Sequence, residues 1–269
     1  MERYELIFVV LVYGNSDDLE EYLVSLRGNI HVSYKVIVVN SFYDEKTLKK
    51  IEYISKQHGC DFLAVENKGY GTGNNRGIEY ARENYEFSFI IVSNPDMTIE
   101  KFDESIISGR EDVIIGPKIL TKNGKNQNPF YLKRKKLAGA EHYFMQRKNN
   151  VGYFFTVGVN KLSKLFHLFI MKLRGKTEIQ VYALHGSFFV IGQKALEKLY
   201  PLFDENIFLF EEEMVLGEKA QKVGVKLFYT SKIVINHKED GSMKFLSHSM
   251  SDIERKTNDY VYKTYYKRG

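Results

Sequence analysis

One cysteine, Cys60, occurs in 269 residues, which excludes an internal disulfide framework and a zinc site built on several cysteines. That scarcity fits a reducing compartment, and the cytoplasm is the expected address. Long apolar runs are also missing. The opening "MERYELIFVVLVYGN" has an apolar core of only about seven residues behind acids, too short and wrongly flanked for a signal peptide or a membrane span. It reads as a first β-strand. No linker rich in proline, glycine or serine divides the chain and no internal repeat shows, so a single domain over 1–269 is expected. The glycine-rich stretch "NKGYGTGNNRGIEYAREN" has neither a GxGxxG fingerprint nor a GxxxxGK phosphate loop. Cations gather in one middle segment without a recognised module, which argues against a nucleic-acid binder.

What is present is an ordinary globular composition, 43% hydrophobic and 27% charged, with a formal charge of +5. Over the first hundred residues apolar runs alternate with amphipathic stretches. "ELIFVVLVYG", "YKVIVVNS", "DFLAVEN" and "SFIIVS" read as strands. Between them "SDDLEEYLVSLRG", with Ser16 as cap, "DEKTLKKIEYISKQHG", ending at Gly59, and "GTGNNRGIEYARENY" read as helices. Strands separated by helices of this length need crossovers, which points to an α/β fold with a right-handed parallel sheet of the doubly wound kind. After "DVIIGPKIL" the pattern changes. Residues 121–180 carry the basic stretch "LKRKKLAGAEHYFMQRKNN" and then "NKLSKLFHLFIMKLRGK", where Leu162, Leu165, Phe166, Phe169, Ile170 and Leu173 recur at helical spacing beside Lys161, Lys164, Lys172 and Arg174. Such a helix either covers a core or lies on an anionic membrane surface. A strand and helix in "VYALHGSFFVIGQKAL" and a late strand in "KLFYTSKIVINH" follow.

Carboxylates stand at the ends of apolar runs. Phe89 to Val92 run into Asn94, Pro95 and Asp96, and proline stops the strand because it cannot donate to the ladder. In open α/β sheets ligands collect beyond the carboxyl ends of strands, so Asp96 is either a turn residue or a ligand-binding acid. Glu211, Glu212 and Glu213 follow the run Ile207 to Phe210. They are a solvated helix start favoured by the macrodipole, or a cluster whose mutual repulsion and burial raise one pKa toward the range of a general base. His237 ends the run "IVIN". The glycine-rich stretch reads as a loop entering a helix, whose backbone N–H groups can hold a phosphate or a sugar hydroxyl.

Taken in order, "VLVYGN", "VIVVNSFYDE", "ENKGYGTGNNRGIEYA", "IIVSNPDMTIE", "HGSFFVIGQKAL", "FDENIFLFEEEMVLGEKAQKVG" and "INHKEDGS" resemble the family 2 glycosyltransferases of the GT-A fold. The nearest resemblance is to rhamnosyltransferase-like enzymes and to capsular or O-antigen polysaccharide enzymes of bacteria. It covers roughly 5–125 and 180–245. It implies a Rossmann-like nucleotide-diphospho-sugar transferase fold with a mostly parallel central sheet flanked by helices and a basic, aromatic helical insertion. The parts would be a nucleotide-sugar half over 1–120, the insertion over 121–180, and a catalytic and acceptor half over 181–269.

Carried over by position, the resemblance implies that Asp96 binds a divalent cation on the donor diphosphate, with Asn94 in place of a first acid and His237 approaching the metal. Val12, Tyr13, Asn15 and Asn40 match the positions that hold the base, and Asn67, Gly71 and Asn75 join the donor set. Glu213 matches the catalytic base, with Glu212 the alternative and Val215 where many members carry an aspartate. His185, Gly186 and Ser187 match the acceptor-side loop. The implied reaction is inverting transfer, with Mg²⁺ or Mn²⁺, from a UDP- or dTDP-sugar to a glycan or lipid-linked oligosaccharide, on or near the inner face of the plasma membrane. Loss of turnover on the same scaffold, leaving a nucleotide- or glycan-binding protein, is the alternative that Asn40, Asn94 and Val215 raise.

Overall fold

Three runs rich in β-branched residues, β1 (Glu2–Val12), β2 (Tyr34–Ser41) and β4 (Tyr85–Ser93), are buried along most of their length on both faces, the habit of strands sandwiched between helices. A computed structural model describes residues 1–133, 140, 143–145, 147, 150–239 and 250–267. Among these, β3 (Asp61–Val65), β5 (Met97–Phe102), β6 (Val113–Thr121), β7 (Glu178–Val181), β8 (Phe188–Gly192) and β9 (Lys226–His237) complete one nine-stranded sheet. Its order is β3-β2-β1-β4-β8-β6-β9-β5, with β7 also on β9. The first four positions are parallel throughout. Because β8 runs against both β4 and β6 while β9 follows β6, strands β1, β2, β3, β4, β6 and β9 share one direction and β5, β7 and β8 oppose it. The sheet is therefore mostly parallel, as expected, but its second half is mixed. The expected strand from 181 is two strands, β7 and β8, separated by an irregular stretch that carries His185 to Ser187.

Helices α1 (Asp17–Asn29) and α2 (Glu45–Gln57) cover one face and α3 (Tyr70–Asn84) the other. Asp44 caps α2 by accepting from the Thr47 N–H at 2.7 Å. Ser16 stands at the start of α1 but makes no capping bond, because its backbone is already helical (φ −85°, ψ −24°) and a cap needs an extended one to aim its oxygen.

The glycine-rich stretch enters a helix, as expected. Gly71, Gly73 and Gly77 are buried within α3, where a Cβ on Gly73 would lie 2.5 Å from Leu11 and one on Gly77 2.4 Å from Val9. Their absence of side chains lets α3 sit on β1 and β2, and the Gly69 and Tyr70 N–H groups are taken by Asn67 Oδ1 and the Phe208 carbonyl. Among the described residues α4 (Asn150–Leu173), α5 (Gln193–Leu199), α6 (Glu212–Val223) and α7 (Met250–Val261) follow. The basic stretch over 132–150 lies largely outside the described residues, as do Asp240, Gly241 and Ser242 after His237.

Candidate active site

Parallel strands end on the same edge, so β1, β2, β4 and β9 deliver Tyr13, Ser41, Asn94 and His237 to one place. There a cavity of about 290 Å³ is lined by these residues together with Asn67, Gly69, Tyr70, Asp96, Phe208, Leu209 and Glu239. Asp96 is buried at its floor. The next residue, Met97, pairs with His237 in the β5–β9 ladder, and the Lys238 N–H donates to the Asp96 carbonyl at 3.0 Å. This register sets His237 Nε2 3.3 Å from Asp96 Oδ2.

The Gln127 amide fixes how the imidazole presents itself. Gln127 Nε2 donates to Glu239 Oε1 at 3.1 Å, so its oxygen faces His237 Nδ1, 2.7 Å away, and Nδ1 is the donor. In the neutral ring the lone pair of Nε2 then points at a carboxylate oxygen. Two acceptors facing each other are satisfied by a proton or a cation between them. Among the described residues no three His, Cys, Asp or Glu side chains gather as a metal cluster. Asp96 and His237 thus offer two donors of a type that suits a divalent ion whose other ligands come from a bound diphosphate.

A second cavity, about 460 Å³, adjoins the first and shares Tyr70, Asn94 and Leu209 with it. His185, Gly186, Ser187, Phe130, Tyr153 and the acids Glu211, Glu212 and Glu213 line it. Phe210 (φ 73°) and Glu211 (φ 69°) take the left-handed conformation in succession, which costs an ordinary residue of order 1–3 kcal/mol. The reversal starts α6 at once, so Glu212 and Glu213 fall in its first turn. The Thr257 hydroxyl from α7 holds this segment by donating to the Leu209 carbonyl at 2.9 Å.

Glu213 Oε1 accepts the Gly186 N–H at 3.0 Å. Glu212 is buried with Oε1 lacking a hydrogen-bond partner. Burial first, and then the charge of neighbouring glutamates, raises the pKa of both carboxyls, Glu212 well above its ordinary value. His185 is pushed the other way. Burial, His237 and Lys164 bring it down to about 3, so it is a neutral ring, bonded through Nδ1 to the Ser187 hydroxyl at 2.8 Å. Tyr70 bridges the cavities, its hydroxyl donating to the Gly186 carbonyl at 2.7 Å.

Of the residues singled out in the sequence, the structure brings Tyr13, Asn67, Asn94, Asp96 and His237 to the first cavity and His185, Gly186, Ser187, Glu212 and Glu213 to the second. Val12, Asn15, Asn40, Gly71 and Asn75 line neither. Val12 and Asn40 are fully enclosed, the Asn40 amide without a partner, and Asn15 bonds to Asp18. Gly71 packs on Phe203, and Asn75 exchanges hydrogen bonds with the Phe203 backbone at 3.0 and 3.1 Å. Gly69, read from sequence as part of the glycine-rich loop, also lines the first cavity, whereas sequence reasoning missed Tyr70, Gln127 and Leu209. Tyr70 lay in the quoted "NKGYGTG" as the one aromatic among small residues, whereas nothing in sequence marked Gln127.

An α/β sheet with its acids at the carboxyl edge, facing adjoining cavities, has the GT-A arrangement. The chain belongs to glycosyl transferase family 2, whose model matches residues 7–200. A hexosyltransferase of low-salt glycan biosynthesis, Agl10 of Haloferax volcanii, is 29% identical over 131 residues, 46% of this chain and 40% of that protein. The match thus spans less than half of that relative. Among solved structures, GalNAc-T7 with UDP, GalNAc and Mn²⁺ superposes with a TM-score of 0.63 at 13% identity, covering 97% of this chain and 48% of the other. The mannosyltransferase PcManGT of Pyrobaculum calidifontis with GDP-Man and Mn²⁺ gives 0.54 at 12% identity, covering 88% and 57%. S. aureus TarS gives 0.56 at 13% identity, covering 97% and 44%.

Proposed function

We propose that the chain is an inverting, metal-dependent glycosyltransferase that moves a hexosyl or deoxyhexosyl group from a nucleotide-sugar, a UDP- or dTDP-sugar by its sequence, to a hydroxyl of a glycan or lipid-linked acceptor. The observation that carries the reading is that Asp96 and Glu213 line adjoining cavities meeting at Tyr70, Asn94 and Leu209. Donor binding belongs to the first cavity, where Tyr13 and Asn67 flank the base and sugar and Asp96 and His237 would hold Mg²⁺ or Mn²⁺. When bound, that ion supplies positive charge to the leaving diphosphate. Two structural neighbours, GalNAc-T7 with UDP, GalNAc and Mn²⁺ and PcManGT with GDP-Man and Mn²⁺, support a metal and a nucleotide-sugar.

Glu213 acts from the acceptor side. Its carboxylate takes the proton of the acceptor hydroxyl as that oxygen bonds to the anomeric carbon, and the carbon–oxygen bond to the diphosphate breaks with its electron pair on the leaving group. Attack from the face opposite the leaving group inverts the centre. The Gly186 N–H fixes the carboxylate's direction, and the neutral His185 and Ser187 are placed to hydrogen-bond the acceptor.

The test is release of nucleoside diphosphate from a panel of nucleotide-sugars with and without Mn²⁺. Turnover in the parent that is lost in Glu213→Gln, with nucleotide binding kept, supports the proposal. Binding without turnover in the parent favours a nucleotide- or glycan-binding protein, and neither binding nor turnover overturns both readings.

A further inference from the structure

Helix α4 is inverted relative to an ordinary surface helix. Its 24 residues span about 36 Å. The side facing the protein is partly polar, with Thr156, Asn160 and Met171 buried, and Asn160 Nδ2 donating to the Phe130 carbonyl at 3.3 Å. The side facing away is apolar. Val151, Phe155, Leu162, Phe166, Phe169 and Leu173 follow one another at helical spacing along a single stripe, exposed by between 59% at Phe169 and 82% at Val151. Surface helices normally turn such a stripe inward.

Charge states what can cover it. The helix contains no acidic residue, while Lys161 and Lys172 lie along one rim of the stripe and Arg174 and Lys176 follow its end. Lys164 turns toward the protein, where burial together with Lys125 and Lys161 lowers its pKa and its charge reaches His185. An unbroken apolar face rimmed by cations alone suits a surface that is hydrocarbon below and anionic above. No helix among the described residues is long and apolar enough to cross a membrane.

We infer that the outer face of α4 docks the protein on an anionic lipid bilayer, with the aromatic stripe in the headgroup and acyl boundary and the flanking cations on the lipid phosphates. Resting on the transferase reading, this also identifies the acceptor class. Tyr153, on the inner side of α4, lines the acceptor cavity, so docking through the outer side brings that cavity within one helix diameter, about 10 Å, of the lipid and suits a hydroxyl carried by an amphiphile with an anionic head.

The experiment is sedimentation of the full chain with vesicles of phosphatidylcholine alone or mixed with phosphatidylglycerol, without metal or nucleotide, so that its outcome is independent of turnover. Binding to the anionic vesicles that weakens with salt is expected. Lys161→Gln with Lys172→Gln should weaken it about fivefold per cation removed. Phe155→Ser with Phe166→Ser and Phe169→Ser should abolish it, with an unchanged circular dichroism spectrum and unchanged donor hydrolysis. Lack of vesicle binding overturns the inference, as does binding that neither variant alters. A parent dimer that the phenylalanine variant converts to monomer, without vesicle binding, shows instead that a second copy covers the face and also overturns it.

Discussion

The amide of Gly186 and the carboxylate of Glu213 meet at 3.0 Å, and a Cβ on Gly186 would lie 2.8 Å from that same oxygen. A residue of the β7–β8 connection thereby sets the direction of an acid on α6. Gly186→Ala is expected to push the carboxylate aside, lowering kcat about 10²-fold with little change in donor KM, as a misplaced general base does. Steady-state kinetics on the variant check this.

Glu213→Gln removes the proposed base while keeping an acceptor for the Gly186 N–H. Turnover should fall about 10²–10⁴-fold with nucleotide affinity unchanged, measured by product release and by calorimetric titration of the nucleoside diphosphate.

Burial makes the folded Glu212 carboxyl hold its proton to higher pH than the unfolded chain does. Below the ordinary value of 4.5 both states are protonated, and as pH rises above it the unfolded chain ionises first, so stability falls until the folded carboxyl has ionised too. Glu212→Gln should therefore raise the melting temperature at neutral pH and leave it unchanged in acid. Because the Glu213 pKa is also raised, the acid limb of kcat/KM should lie above the ordinary glutamate range.

Gln127 orients His237 through Nδ1 without reaching Asp96 itself. Gln127→Ala frees the imidazole to rotate and should weaken apparent Mn²⁺ affinity about 10-fold or more, read from the metal dependence of nucleotide binding. Asp96→Asn should remove the metal dependence altogether.

Asn75 separates a structural amide from a donor ligand. Asn75→Ala strips both hydrogen bonds from the Phe203 backbone, leaves buried groups unpaired, and should cost about 1–3 kcal/mol of stability with donor KM unchanged. Denaturant unfolding together with donor kinetics distinguishes the two roles.

The first half of the sheet was legible because β1, β2 and β4 announce themselves as β-branched runs and helices of crossover length separate them. β5 was not, since "MTIEKF" mixes charge with apolar residues and owes its strand form to pairing with β9. The acids at strand ends were legible as a pattern, and ten of the residues read from sequence do line the two cavities. The glycines were legible as the entry to a helix but not as its packing positions. A run of Gly reads alike whether it frees a loop or lets a helix approach a sheet, and only the distances to Leu11 and Val9 tell the two apart. Nor could sequence give the left-handed turn at Phe210 and Glu211, because neither residue type favours that conformation.

Gly69 has no room for a side chain, since a Cβ there would stand 2.3 Å from the Phe208 carbonyl oxygen, and the two segments are tied by the hydrogen bond from the Tyr70 N–H. The entrance to α3 and the segment leading to the acids are therefore a single hinge-free joint. Homologous chains that keep this cleft must alter the two segments in concert, and an engineered graft of one without the other would pull Glu212 and Glu213 away from the wall of the second cavity.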